Sequence, residues 1–283
     1  MAAASESSAT FRSGNARRML FGSGPRRKLL LPVLHVDDDD KPEHTASQAL
    51  LAMKHGADGV ILCSWPASIR VMLEALDAVN AALPHTLIGA NFLCAASELK
   101  GVRLNGRCEI LWTDSGVNGH GTESSLVETD SILRESGFRG LLFGSFAFKG
   151  RSYVSKEDMP RLAGEARSRM DVQTTSGSST GVAMAPQRAA SVRAALGSDA
   201  VVAIASGVTV ENVSELLPST DIVMVGTGVE AWREADEDLA ALDVSARIAA
   251  MVDRYGTSGA VHQGRLDPAR VAALAAVVHG YRS

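Results

Sequence analysis

Residues 200–228 read Ala200-Val-Val-Ala-Ile-Ala-Ser-Gly-Val-Thr-Val-Glu-Asn-Val-Ser-Glu-Leu-Leu-Pro-Ser-Thr-Asp-Ile-Val-Met-Val-Gly-Thr-Gly228. The apolar segments Ala200–Ala205 and Asp221–Val225 have the composition of buried strands, and Val210–Leu217 between them has the spacing of a helix, with Thr209 as its natural N-cap. Two strands joined through a helix lie parallel, with a right-handed crossover. This stretch therefore predicts an α/β fold with a parallel sheet.

The same alternation extends over the chain from residue 29 onward. The other predicted strands are Leu29–Val36, Asp58–Cys63, Thr86–Phe92, Cys108–Thr113, Gly140–Phe148 and Asp171–Thr175. Helical patterns follow them near residues 44–55, 68–82, 96, 124–136, 156–169, 186–196 and 239–254, and Asp267-Pro268 opens a terminal helix. An open doubly wound sheet also alternates in this way, but about eight units fit closure into a barrel better. We predict a single (β/α)₈ TIM barrel over residues 29–283, with an N-terminal extension and an extra C-terminal helix.

The bulk composition limits the classes of function. The chain is 46% hydrophobic and 21% charged, and its net charge of −4 disfavours a nucleic-acid partner. No apolar run approaches the roughly 20 residues of a membrane span. Cys63, Cys94 and Cys108 lack metal-site spacing, which predicts reduced thiols in an intracellular, cytoplasmic protein. A homo-oligomer is compatible with these properties.

The first 28 residues differ in composition from the rest. They are rich in alanine and serine and carry six basic residues against the single acid Glu6. This composition fits a disordered or loosely docked extension, and it also fits an organellar targeting segment.

Glycine-rich loops follow the last three predicted strands. They are Ser176-Gly-Ser-Ser-Thr-Gly181, Ser206-Gly-Val-Thr209 and Gly226-Thr-Gly228. Glycine at a strand end lets the backbone approach a ligand, and the loops after strands seven and eight form the recurrent phosphate site of this fold. The predicted phosphate-binding residues are Ser176, Gly177, Ser178, Thr180, Gly181, Ser206, Gly207, Gly226, Thr227 and Gly228.

This part of the chain resembles the BtpA family of ribulose-phosphate-binding-type barrels. The resemblance lies in Val201–Val213 followed by Thr220–Thr227, in the loop Ser176–Gly181, and in the strand segments Lys28–His35 and Ile88–Asn91. It covers most of the chain and is specific over residues 173–228. It implies a barrel that binds a phosphorylated ligand, and the best-known member of the family is linked to photosystem I assembly.

Three segments depart from the family pattern. Val36–Lys41 replaces a proline-rich loop, Leu142–Lys149 retains only the lysine of an acidic and histidine-bearing strand, and Glu230 stands where a basic residue is expected. The resemblance therefore implies the fold and the ligand class more than a reaction.

Three polar side chains at other strand ends are candidate catalytic residues. His35 can act as a general acid or base, and Asp114 can orient a hydroxyl or take a proton. Lys149 can form a Schiff base or neutralise a phosphate. Each also has a structural interpretation: a histidine satisfied by the backbone, an aspartate that caps a loop, and a lysine in an exposed turn.

The acidic run Asp37–Asp40 offers the oxygen ligands that Mg²⁺ or Ca²⁺ prefers, but consecutive carboxylates usually form a solvated loop. We therefore assign no metal site, and the sequence does not identify a cofactor. The sequence predicts a protein that binds a phosphorylated small molecule, a sugar phosphate or a nucleotide, as an enzyme of isomerase, lyase or hydrolase type. The alternatives are a non-catalytic assembly factor that retains an anion site, and a flavin-dependent oxidoreductase.

Overall fold

A computed structural model of the chain describes residues 2–24, 27–64, 67–117, 123–149, 154–178, 181–231, 250 and 265–282. Eight parallel strands form a closed barrel in sequence order, with β1 paired to β8. They are β1 Leu29–Val36, β2 Gly59–Ser64, β3 Leu87–Asn91, β4 Ile110–Val117, β5 Leu141–Phe146, β6 Val172–Ser176, β7 Val202–Ala205 and β8 Ile222–Val225. This architecture confirms the predicted (β/α)₈ barrel.

Helices connect the strands on the outside. The described helices are α1 Ala2–Phe21, α2 Pro42–Lys54, α3 Ile69–Ala82, α4 Glu123–Glu135, α5 Met159–Arg169, α6 Pro186–Leu196, α7 Val213–Leu216 and α8 Pro268–Gly280. The short helix predicted after β3 is a 3₁₀ turn, Ala96–Leu99. The predicted terminal helix is present as α8, and the Asp267 side chain caps it by accepting the N–H groups of Ala269 and Arg270. The helix predicted near residues 239–254 lies almost entirely outside the described residues.

The strands alternate between two apolar layers, as expected when one face fills the barrel and the other packs on helices. Leu31, Ile61 and Phe143 belong to the interior layer. Their neighbours Leu30 and Leu62 pack outward against the helices. This packing brings the carboxyl ends of all eight strands to one face, where a ligand site is expected.

Strand β4 differs from its prediction because it runs to Val117 rather than ending at Thr113. Its pairing with β5 shifts register between Trp112 and Gly116, as at a β-bulge. Asp114 therefore lies inside the irregular part of a strand, where the backbone bends at the mouth of the barrel.

The N-terminal segment also differs from the expected loose extension. Ala2–Phe21 forms helix α1. Its residues Ala16 and Leu20 are buried against the interior layer at the lower end of the barrel, which is the end where the strands begin. Arg12 lies 2.7 Å from Asp130 and 3.6 Å from Asp171. Helix α1 thus closes the end of the barrel opposite the predicted site.

No helix in the described part of the chain combines the length and the apolarity needed to cross a bilayer. The three cysteines are free thiols, with Cys63 and Cys108 buried and Cys94 half-buried. Burial raises the pKa of Cys108 to about 12.

Candidate functional site

A cavity of about 280 Å³ opens at the carboxyl ends of the strands. The three predicted catalytic side chains, His35, Asp114 and Lys149, line it together, although they come from β1, β4 and the end of β5. The predicted loop residues that also line it are Gly181, Ser206, Gly207, Gly226, Thr227 and Gly228. Val33, Cys63, Trp112 and Met224 supply its apolar wall. The closed barrel therefore collects most of the predicted residues in one place.

The loop after β7 is held in an unusual conformation. Ser206 and Gly207 both have left-handed backbone torsions, with φ values of 64° and 65°. A methyl group at position 207 would lie 2.2 Å from the backbone nitrogen of Ala183, so only glycine fits there. A non-glycine residue with positive φ, such as Ser206, is uncommon and is found mostly where function requires strain.

Asn212 braces this loop from the side that faces helix α7. Its Oδ1 accepts the N–H of Thr209 at 3.0 Å, and its Nδ2 donates to the carbonyl of Gly207 at 2.8 Å. Thr209 was predicted as the N-cap, but the helix begins only at Val213 because Asn212 folds back onto the loop.

The segment after β8 forms a 3₁₀ turn, Thr227–Val229. The N–H of Val229 donates to the carbonyl of Gly226 at 2.9 Å, which closes the turn. The N–H groups of Thr227 and Gly228 precede that bond, and like the N–H of Gly207 they have no acceptor among the described residues. All three residues line the cavity, and their N–H groups are available to donate hydrogen bonds to a bound anion.

His35 lies against the loop after β8. Its Nδ1 is 2.7 Å from Oε1 of Glu230, whose residue is only 2% exposed. A methyl group at position 226 would lie 2.7 Å from Cε1 of the imidazole, so glycine is required for the ring to pack there. The ring is therefore fixed on one side by a buried carboxylate and on the other by the backbone of Gly226.

The opposite wall of the cavity holds a second polar group. Asn91, buried at the end of β3, donates from Nδ2 to Oδ1 of Asp114 at 3.2 Å. Asp114 reaches solvent at the mouth, yet it is enclosed by protein on its other sides. This partial loss of hydration raises the pKa of its carboxyl, while the charge of Lys149 and the Asn91 amide lower it by less. Burial also raises the pKa of the neighbouring Cys63, so its thiol stays protonated at neutral pH.

Three of the predicted phosphate-binding residues lie elsewhere. Ser176, Gly177 and Ser178 line a neighbouring cavity of about 300 Å³, together with Arg188 of α6. The Ser176 hydroxyl accepts the N–H of Lys149 at 2.8 Å, so it supports the strand end that carries the lysine. Thr180 lies outside the described residues. Of the described residues in the loop after β6, only Gly181 lines the main cavity.

The acidic run after β1 makes local backbone contacts. Asp38 accepts the N–H of Ser68 at 2.8 Å, and this bond lowers the pKa of the Asp38 carboxyl. Asp40 accepts the N–H of Asp37 at 2.8 Å. Within the described ranges, no group of three or more metal-ligating side chains comes together.

Glu230 and Asn91 were not predicted as site residues, although each holds one of the cavity's ionisable side chains. The sequence signal for Glu230 was its departure from a basic family position. Asn91 was visible only as a polar residue at a strand end.

The sequence matches no protein-family model and no curated protein. Solved structures, in contrast, match the fold over nearly the whole chain. (S)-3-O-geranylgeranylglyceryl phosphate synthase from Thermoplasma acidophilum, solved with its substrate sn-glycerol-1-phosphate, superposes with a TM-score of 0.60 at 13% identity, over 95% of this chain and 98% of that one. Tryptophan synthase subunit alpha from Legionella pneumophila gives 0.58 at 14% identity, over 95% and 99%. N-(5'-phosphoribosyl)anthranilate isomerase from Pyrococcus furiosus gives 0.55 at 15% identity, over 90% and 100%. At these identities the likeness shows the fold alone, that of a (β/α)₈ barrel.

Proposed function

We propose that this chain is a barrel enzyme that binds a phosphorylated small molecule, a sugar phosphate or a nucleotide, at the mouth of the barrel. The observation that carries the proposal concerns Gly207, Thr227 and Gly228, which line one cavity and whose backbone N–H groups donate to no acceptor within the part of the chain that the structure describes. Donors of this kind after strands seven and eight are the recurrent phosphate site of the fold. The solved barrels with similar folds add support, because two of them, the geranylgeranylglyceryl phosphate synthase and the phosphoribosylanthranilate isomerase, are named for phosphorylated compounds.

The chemistry would take place on the far side of the cavity from these donors. Asp114, with its raised pKa, is suited to proton transfer closer to neutral pH than an ordinary aspartate. Lys149 supplies positive charge beside it. A pair of this kind serves isomerisation, aldol-type cleavage or hydrolysis, so the proposal extends to the isomerase, lyase or hydrolase classes and not to one reaction.

The relation to the BtpA family is part of the same proposal. Its support is the segment of residues 173–228, which contains both of the loops that line the main cavity from β7 and β8.

Calorimetric titration with ribose 5-phosphate and with unphosphorylated ribose tests the binding site. We expect the wild-type protein to prefer the phosphorylated sugar, and Thr227→Asp to weaken its binding by about tenfold or more, because the new carboxylate repels the phosphate at close range. Ala81→Asp adds the same charge at the exposed end of α3, on the opposite side of the barrel, and should leave the affinity unchanged.

Equal binding of ribose and ribose 5-phosphate, or an unchanged affinity in Thr227→Asp, would show that the proposed phosphate site is wrong. Tight binding without turnover across a panel of phosphorylated sugars would leave the anion site standing and favour the non-catalytic alternative.

A further inference from the structure

We infer that His35 binds the phosphate group itself and that Glu230 is the positioning residue that makes this contact effective. The inference rests on the proposed function and deepens it. It moves His35 from the reacting end of the ligand to the phosphate end, and it adds a charged contact to a site otherwise built of neutral backbone donors.

The strand order places His35 beside the phosphate donors. Strand β1 closes the barrel by pairing with β8, with Pro32 opposite Val225, so His35 projects from the strand next to the loop that carries Gly226 and Thr227. A Cβ atom placed on Gly226 would lie 2.7 Å from Cε1 and 3.5 Å from Nε2 of the His35 ring, so the ring packs directly against this glycine. Asp114 lies on β4, three strands away around the barrel. His35 is therefore a neighbour of the anion donors and not of the acid–base pair.

The contact with Glu230 determines how the ring can act. A carboxylate accepts hydrogen bonds, so the 2.7 Å contact assigns a proton to Nδ1, and the inference assigns the contact with the phosphate to Nε2. When Nε2 also carries a proton, the imidazolium is balanced by the Glu230 carboxylate and can donate to a phosphate oxygen. A charge-assisted bond of this kind is about twice as strong as a neutral one.

Glu230 is itself held in place by the C-terminal part of the chain. Glu230 and Leu266 form an antiparallel bridge, and the N–H of Asp267 donates to the carbonyl of Val229 at 2.8 Å. The N–H of Leu266 is in turn fixed by Oε1 of Gln48 on α2 at 2.8 Å. The backbone of Glu230 is therefore fixed by the segment that precedes α8 and, through Leu266, by α2, which restricts where its carboxylate can lie.

Sulfate is the probe for this contact, because its charge does not change around neutral pH. We expect His35→Asn to weaken sulfate binding by about tenfold, since the asparagine amide can occupy the place of Nδ1 but lacks Nε2. Glu230→Gln retains an acceptor for Nδ1 and removes the charge, so we expect a smaller loss, about threefold. The double variant should bind no more weakly than His35→Asn, because Glu230 acts through His35. His85→Asn makes the same exchange in an exposed loop at the other end of the barrel and should have no effect.

Nuclear magnetic resonance of the histidine rings gives a measurement that needs no change at Glu230. The His35 signals are assigned by their absence from the His35→Asn spectrum, and saturating sulfate should shift them more than those of the other six histidines. If the wild-type protein binds sulfate while His35→Asn binds equally well, or while the His35 signals stay in place, this inference is overturned and the proposed phosphate site stands. If the wild-type protein binds neither sulfate nor ribose 5-phosphate, the proposed function fails with it.

Discussion

Single aspartates in this protein show how the surroundings of a residue set its chemistry. Asp114 within β4 and Asp38 just after β1 lie at the same face of the barrel, but the pKa values of their carboxyl groups are shifted in opposite directions. Partial loss of hydration beside the cavity raises the pKa of Asp114, whereas the N–H of Ser68 lowers the pKa of Asp38. A raised pKa in the folded state means that ionisation of Asp114 lowers the stability of the fold. Groups with such shifted pKa values are concentrated at functional sites.

This contrast predicts opposite pH dependences for two matched variants. The contribution of Asp114 to stability is complete below its unfolded pKa and is lost as the pH rises through the raised folded value. Asp114→Asn removes that loss, so its free energy of unfolding relative to wild type should increase from about pH 4 to about pH 7. Asp38 contributes stability above its unfolded pKa, and therefore Asp38→Asn should become relatively less stable over the same interval. Urea denaturation at both pH values measures the two differences, and parallel trends for both variants would refute the argument.

The sequence could predict which side chains lie near the site, because a parallel barrel brings the carboxyl ends of all its strands to one face. His35, Asp114 and Lys149 all line the cavity at that face, and their catalytic roles stay a prediction. The sequence could not reveal Glu230 as the partner of His35, because that contact joins residues 195 positions apart and exists only once β1 pairs with β8.

Among the elements, helix α1 is the one that the sequence did not reveal. Its alanine- and serine-rich composition has no clear apolar face, and the pair Ala16 and Leu20 is a weak signal of burial. A second contact of α1 is made by Arg12, which reaches Asp130 and Asp171 at the lower rim of the barrel. Burial raises the pKa of Asp171, while the N–H of Leu142 and the guanidinium of Arg12 oppose that rise.

Removing this arginine should therefore destabilise the protein more than removing an exposed one. Arg12 is 13% exposed, and its loss removes the cation closest to the buried Asp171 and leaves Asp130 only with the more exposed Arg134 at 3.3 Å. This loss should lower the free energy of unfolding by about 2 kcal/mol or more. The control is Arg70→Ala, which breaks a pair with Glu74 on an arginine that is 73% exposed and should cost less than about 0.5 kcal/mol. Chemical denaturation of both variants measures the difference. Equal small effects would mean that α1 is held by its apolar contacts alone.

The loops are the elements in which the sequence was only partly sufficient. It identified three glycine-rich loops as one phosphate site, but Ser176–Ser178 line the neighbouring cavity instead. Glycines in a loop indicate that another group approaches the backbone closely, but they do not indicate whether that group is a ligand or a second loop. At Gly207 the neighbour is the backbone of Ala183, a contact that no local pattern indicates.

The described part of the chain forms one closed barrel, and helices from both ends of the chain pack on it, α8 against β1 and α1 against α5. Helix α8 packs its buried face, which includes Leu274, near β1, and α1 covers the lower interior beside it. The regular alternation of strands and helices made this architecture predictable from the sequence, because short crossovers of one hand leave few other arrangements.

Damage to α8 should accordingly be felt throughout the barrel. Leu274→Ala removes a fully buried side chain and should lower the free energy of unfolding by about 2–5 kcal/mol. Leu50→Ala, on a leucine that is 46% exposed, should cost much less. Far-ultraviolet circular dichroism and tryptophan fluorescence should report the same shifted transition. Two separated transitions would show that α8 unfolds independently of the barrel.

Helix α1 covers the lower end of the barrel, opposite the cavity, and this arrangement bears on how a ligand reaches the site. The barrel interior is packed with side chains and the cavity opens at the carboxyl ends of the strands, so under the proposed function a substrate and its product would enter and leave through the same opening. A product that leaves slowly would then exclude the next reactant directly and act as a competitive inhibitor.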